Sequence, residues 1–142
     1  MGTYRQTLPN IKFSGPTYFG PILEAFLNHC KQQFGKPNYN VLLILTDGTI
    51  HDMPKTKQLL VDLSAMPCSV IIVGLGDADF DNMEVLDGDS PNCLKDDTGR
   101  PCLRDIVQFV EFEKAIKKGD LAEQVLMEIP TQFLSFMVAN NV

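Results

Sequence analysis

The hydrophobic positions of this chain change period along its length, and each period predicts a different element. From Pro21 to Phe34 the residues Ile22, Leu23, Phe26, Leu27, Cys30 and Phe34 recur on one helical face, and Gly35-Lys36-Pro37 ends the run. The spacing predicts an amphipathic helix. Val41-Leu42-Leu43-Ile44-Leu45 follows as an unbroken aliphatic run that stops at Thr46-Asp47-Gly48. Such a run predicts a strand buried on both faces, as in a parallel sheet covered by helices. Pro54 fits the first turn of a second helix, with Leu59, Leu60, Leu63 and Met66 as its inner stripe before Pro67. Cys68 to Gly74 then reads as a second buried strand. Strand, helix and strand at this spacing form a βαβ unit, parallel and right-handed by strong preference.

Beyond Gly76 the pattern weakens. Residues 77–104 are rich in Asp, Gly, Pro and Asn, which predicts a long acidic loop region with one short helix from about Asn82 to Leu86 and little contribution to the core. Ile106 to Phe112 alternates in part and is expected as a third strand nearer the sheet edge. A last helical stretch carries Leu121, Val125, Leu126 and Ile129, breaks or kinks at Pro130, and resumes with Phe133, Leu134, Met137 and Val138. No internal repeat or low-complexity segment interrupts this order.

The length of 142 residues and a hydrophobic fraction of 44% suit one globular domain with a real core. Twelve basic residues against 18 acidic ones give a formal charge of −6, which argues against nucleic acid or an anionic membrane as a direct partner and favours cations. No run reaches the about 18 apolar residues that span a bilayer, and Met1-Gly2-Thr3-Tyr4-Arg5 lacks the apolar core of a secretory signal. The expectation is a soluble, intracellular protein. Cys30, Cys68, Cys93 and Cys102 show no Cys-x-x-Cys spacing. Cys30 and Cys68 read as buried thiols; Cys93 and Cys102 flank a polar loop at a spacing that lets them approach one another, though a reducing compartment disfavours a disulfide between them.

Ligands of open α/β sheets bind outside the carboxyl ends of the strands, which gives Asp47 a weight that a mid-loop carboxylate lacks. Its surroundings exclude several chemistries. A haloacid-dehalogenase phosphatase would place its Asp nucleophile where Leu45 stands, and a leucine cannot form an acyl-phosphate. Gly74-Leu75-Gly76-Asp77 lacks the third glycine of a dinucleotide fingerprint and reads as a strand-end turn. Asp77, Asp79 and Asp81 have the spacing of the first ligands of an EF-hand loop, but Asn82 and Gly88 stand where that loop needs Gly and Glu. A solvated acidic loop is the simpler reading. His29 and His51 lie apart from each other and from any cysteine at ligand spacing, and read as surface or capping residues. No assembled catalytic constellation is visible.

Several strings taken together point to one family. They are Tyr4-Arg5-Gln6-Thr7-Leu8-Pro9, Ser14-Gly15-Pro16-Thr17-Tyr18-Phe19, Leu45-Thr46-Asp47-Gly48, Ser69-Val70-Ile71-Ile72-Val73-Gly74-Leu75-Gly76, Ala78-Asp79-Phe80, Leu86-Asp87-Gly88-Asp89 and Arg104-Asp105-Ile106-Val107-Gln108-Phe109-Val110. In this order they closely resemble the von Willebrand factor A-type domain of the copines, from Tyr4 to about Val138. The resemblance implies an α/β fold: a doubly wound, mostly parallel sheet with helices on both faces. It also implies a metal-ion-dependent adhesion site at the strand carboxyl ends, held by an Asp-x-Ser-x-Ser motif, a Thr from a second loop and an Asp from the Thr-Asp-Gly loop. By position Thr17 matches the Thr and Asp47 the Asp. Hard oxygen ligands around an octahedral ion with an open position suit Mg²⁺ or Mn²⁺, and an acidic group on a partner would complete the shell.

The chain departs from the family in one large respect: no Asp-x-Ser-x-Ser or Asp-x-Thr-x-Ser occurs in it. Tyr18 is a smaller departure, where relatives usually carry Asn. Residues 1–142 are therefore expected to be a single partial domain of this type, its carboxyl-terminal portion without the first strands, with residues 1–3 as an extraneous remnant. Its metal site would be incomplete, with Mg²⁺ or Mn²⁺ weak or absent. The strand Val41 to Leu45 would then lie on an open edge, to be covered by a second copy of the chain or by residues 3–12. The implied function is a non-enzymatic module that binds target proteins through the strand carboxyl-end face. Ca²⁺ and phospholipid would act only through lipid-binding modules outside these residues, recruiting a cytoplasmic full-length protein to membranes. The A domain of a RING-type ubiquitin ligase is the alternative, and a phosphoryl-transfer enzyme using Asp47 a weaker one.

Overall fold

The computed structural model describes residues 2–12, 15–87 and 93–141. Ser14 of the Ser-Gly-Pro-Thr string and Gly88-Asp89 of the Leu-Asp-Gly-Asp string lie outside them. In chain order the elements are α1 (Gly2–Thr7), a 3-10 turn (Leu8–Asn10), α2 (Gly20–Gln33), β1 (Asn40–Thr46), α3 (Met53–Leu63), β2 (Cys68–Gly74), α4 (Asp81–Leu86), β3 (Val107–Glu111), α5 (Phe112–Lys118), α6 (Leu121–Leu126) and α7 (Ile129–Ala139). The strands form one parallel sheet in the order β1-β2-β3. The α/β class and the β1-α3-β2 unit agree with the sequence pattern.

Paired residues of a parallel ladder share a face of the sheet. Leu42, Ile44, Val70, Ile72, Val107 and Phe109 therefore lie on one face, and they form the main core with Leu23, Leu27 and Cys30 of α2 and Leu59, Leu60 and Leu63 of α3. Val41, Leu43, Leu45, Ile71, Val73 and Val110 lie on the other, where α7 packs against β2. Helices thus cover both sides of the sheet in a von Willebrand A-like arrangement. The aliphatic run of β1 is the exception: Val41, Leu43 and Leu45 are 46%, 53% and 61% exposed, so the expected burial on both faces fails. β1 is an edge strand, and α7 stops short of it. Residues 5–12 are themselves exposed and do not cover it, so that expected role for residues 3–12 is not realised.

The acidic region contributes more to the core than its composition suggests. Phe80, Met83, Leu86 and Cys102 are all buried there. The Phe80 ring tilts against Phe109 with centroids 5.6 Å apart, and it presses on the end of β2, where a Cβ on Gly74 would stand 2.8 Å from it. Gly74 is needed for this approach, whereas the left-handed backbone of the turn that follows falls on Gly76 (φ 80°). In the last third of the chain, α5 escapes the periodic reading because its apolar content is sparse. Pro130 sits in the first turn of α7, where its missing N–H costs nothing. The inner face of that helix is Gln132 and Phe136, whereas Leu134 and Val138 of the expected stripe are exposed.

The two edges of the sheet are finished differently. In each strand alternate residues direct their backbone groups to the neighbour. Asn40 N–H donates to Pro67 O at 2.9 Å and Thr46 O accepts from Leu75 N at 2.7 Å, so Val41, Leu43 and Leu45 aim theirs outward. The same logic puts Val107 and Phe109 on the outer side of β3, because Val70 N donates to Ile106 O at 2.7 Å. Side chains cap that side: Val107 N–H donates to Asp105 Oδ1 (3.1 Å) and Phe109 N–H to Asp87 Oδ1 (2.6 Å). Gln132 Nε2 donates to Val107 O and Gln108 Nε2 to Phe109 O, each at 3.4 Å. Among the described residues no side chain makes such a bond to the outer groups of β1.

Candidate functional site

β1 delivers Thr46, Asp47 and Gly48 to the carboxyl end of the sheet, where Asp47 is exposed. The loop before α2 lies alongside. Thr17 and Ile50 form an isolated parallel bridge, Thr17 N–H donates to His51 Nδ1 at 3.1 Å, and His51 N–H donates to Thr17 O at 3.0 Å. His51 is thus a loop-binding residue. A Cβ on Gly48 would stand 3.8 Å from Thr17 Oγ1, so the Thr17 hydroxyl faces the Thr46-Asp47-Gly48 turn. The two residues singled out by sequence, 30 positions apart (47 − 17), occupy adjoining loops.

What holds the loops together was not among the sequence expectations. Asp52 accepts from Phe19 N–H through Oδ1 (2.9 Å) and from Gly20 N–H through Oδ2 (2.7 Å), and Thr56 Oγ1 donates to Oδ1 at 3.4 Å. The carboxylate satisfies the first free donors of α2 and sits at the positive end of its dipole. Gly20 is a space requirement, since a Cβ there would lie 2.7 Å from Asp52 Oδ2. Ahead of Pro54, Asp52 carries the signature of an N-cap for α3, yet its side chain makes no cap bond to that helix. Only the tertiary structure reveals that it caps a helix more than thirty residues earlier.

Chemically, the Thr17 hydroxyl and the Asp47 carboxylate are hard oxygen donors of the kind Mg²⁺ and Mn²⁺ prefer. Among the described residues the Asp47 carboxylate makes no hydrogen bond or ion pair, and no group of three or more His, Cys, Asp or Glu is placed to hold an ion. The donor set fits part of a hard-cation shell. Of the other acidic candidates, Asp79 Oδ1 accepts from Asp81 N–H at 3.0 Å, which closes the turn into α4. His29 is exposed on α2, away from this end. Cys93 and Cys102 are free thiols, Cys93 Sγ donating to the Cys102 carbonyl at 2.9 Å, and burial pushes the Cys102 thiol up to about 12. Cys30 and Cys68 are buried, and a hydrogen bond between them together with burial raises the Cys68 thiol well above its ordinary range.

Comparison with known proteins adds the family. A profile described as Copine matches residues 1–142. Protein BONZAI 2 of Arabidopsis thaliana is 42% identical over 146 aligned positions, which cover 100% of this chain and 25% of that protein. Protein BONZAI 1 of the same plant is 41% identical over 99% of the chain and 25% of its own length. Copine-A of Dictyostelium discoideum is 42% identical over 94% of the chain and 22% of its own length. The chain therefore spans about a quarter of the length of these relatives.

Proposed function

This chain belongs to the copine family, and from that membership we propose that it is a non-enzymatic protein-interaction module whose target face is the carboxyl end of its sheet, completed by a divalent cation. The observation that carries the reading is the placement of the Thr17 hydroxyl against the Thr46-Asp47-Gly48 turn, beside an exposed carboxylate that no described residue engages. Asp47 holds the ion, Thr17 adds a neutral oxygen, and an acidic side chain of a target protein fills an open coordination position. Asp52 and His51 act on the loops rather than on the ion, since their contacts are to the backbone of residues 17–20. In the full-length protein the module is cytoplasmic and reaches membranes when calcium engages lipid-binding modules outside these residues. No described helix is long and apolar enough to cross a membrane.

Two oxygen donors are too few for tight binding of a free ion, so further oxygen donors are needed to complete the shell. Titration calorimetry with Mg²⁺ and with Mn²⁺ tests this on three proteins: this chain, the chain extended upstream to the length of its relatives, and the extended chain carrying Asp47→Ala. The extended chain should bind at least about tenfold more tightly, a difference of about 1.4 kcal/mol, and Asp47→Ala should abolish the gain. Equal affinities in the short and extended chains, or binding indifferent to Asp47→Ala, would overturn the assignment.

A further inference from the structure

We propose that Cys93 and Cys102 form a redox-responsive clasp, two thiols in a reducing compartment and an intramolecular disulfide once a small disulfide oxidant accumulates. The sequence marks these residues only as flanks of a polar loop. The fold brings them together.

Cys102 N–H donates to Leu94 O at 2.8 Å, and Lys95 and Pro101 form an antiparallel bridge, so Cys102 stands opposite the residue next to Cys93. One interstrand spacing and one residue step put the two Cα atoms about 6 Å apart, inside the range that a disulfide spans without moving the backbone. The Cys93 side chain already turns towards its neighbour, with Sγ 2.9 Å from the Cys102 carbonyl oxygen. Both cysteines border one small void of about 10 Å³, together with Leu86, Leu94 and Ile106, which leaves the sulfurs room to meet. Thr98 and Arg100 hold Asp96 at the tip of this hairpin, and Arg100 reaches on to Asp62 of α3. The two sides therefore keep their register while the domain is folded.

Exposure divides the roles. Cys93 is half-buried and open to a small oxidant, whereas Cys102 is 8% exposed, and burial pushes its thiol up to about 12, which keeps it protonated at neutral pH. The Cys93 thiolate attacks glutathione disulfide, breaking its S–S bond, forming a mixed disulfide and releasing one glutathione thiolate. Cys102 gives its proton to a glutathione thiolate, attacks Cys93 Sγ and expels the second glutathione. Two protein thiols lose two electrons and two protons, and one glutathione disulfide becomes two glutathione thiols. Cys30 and Cys68 also touch, but both are fully buried and meet no oxidant in the folded chain.

The test equilibrates the chain, folded and in unfolding urea, in glutathione buffers of graded redox ratio, quenches with acid, and maps the thiols by alkylation and mass spectrometry. The equilibrium constant for the Cys93–Cys102 bond should be at least about tenfold larger in the folded chain, because the fold holds the sulfurs together. By the same linkage the oxidised chain should unfold at higher urea than the reduced one, and dithiothreitol should reverse the difference. Cys93→Ser, at the half-buried position, should keep the circular dichroism of the wild type and lose both the bond and the shift in the urea midpoint. A bond no more favoured in the folded chain than in the unfolded one, a mixed disulfide on Cys93 as the end product, or a Cys30–Cys68 bond formed in preference would each overturn the proposal.

Discussion

Asp96 is a buried carboxylate whose charge is met from several sides. Thr98 donates to Oδ1 through its hydroxyl (2.6 Å) and its N–H (3.0 Å), and Arg100 donates to Oδ1 through its N–H and to Oδ2 through Nε, both at 3.0 Å. The Thr98 hydroxyl first, and the Arg100 contacts with it, hold the acid at about 2 against its ordinary 3.8. Arg100 reaches on to Asp62 Oδ1 of α3 at 2.7 Å, so the acidic loop is pinned through this carboxylate. A folded value below the unfolded one means that the fold favours the charged form. The stability Asp96 contributes is complete above about pH 4 and is lost as pH falls towards about 2. Asp96→Asn should therefore lower the urea midpoint at neutral pH, with a deficit that shrinks between those limits. A deficit constant across that window would mean that the carboxylate's charge is not what the loop uses. Asp47 has the same chemistry and none of these partners, which is the residue-level contrast between a structural acid and a candidate ligand. Neither state is legible from composition, which describes residues 77–104 only as acidic loop.

The string Arg104 to Val110 carried much of the family resemblance, and in the fold it finishes an element. Arg104 Nη2 donates to Met66 O (2.5 Å) and Cys68 O (2.6 Å), and Nη1 to Gln132 O (3.2 Å). Its guanidinium stands over the rings of Tyr39 and Phe136 at 5.9 and 5.3 Å. One side chain thus joins the start of β1, the start of β2 and α7. Asp105 and Gln108, from the same string, cap the outer side of β3. Partial alternation announced an edge strand, but the capping was hidden because Asp87 and Gln132 come from distant positions. Arg104→Ala removes the charged donor from three carbonyls, which keep only the Cys68 N–H, the Tyr39 hydroxyl and the Ser135 hydroxyl, together with the ring contacts, and should destabilise the domain by on the order of 2 kcal/mol. Arg104→Lys should recover only part of this, since an ammonium cannot reproduce the planar fork. Chemical denaturation of both variants decides the matter. Equal stability of Arg104→Lys and wild type would show that charge alone suffices.

At the scale of the whole molecule, the sheet runs from a finished edge through a fully buried centre to an open edge. The hydrophobic pattern located the three described strands, β1 and β2 as unbroken aliphatic runs bounded by Gly and Pro, which leave few alternatives, and β3 as a partly alternating run. It mistook β1 for a strand buried on both faces, because a run of aliphatics does not reveal whether anything covers its second face. The candidate site divided in the same way: Asp47 stood out by its place at a strand's carboxyl end and Thr17 only through the family's order of motifs, whereas Asp52 depends on a contact between two helix starts that no local pattern records. The gradient across the sheet should be measurable by amide exchange. β2 amides are bonded within a buried strand and should exchange only through global opening. Among the outward amides, Val107 and Phe109 are held by carboxylates, whereas Val41, Leu43 and Leu45 face water. In dilute, monomeric protein the exchange rates should rise in that order, with Leu42 and Ile44, bonded to β2, protected between their fast neighbours. Asp87→Ala should bring the Phe109 amide towards the rate of Leu43 while leaving the β2 amides unchanged. If Leu43 is as protected as Ile44 in dilute solution, the β1 edge is already covered and the alternation in this strand has another cause.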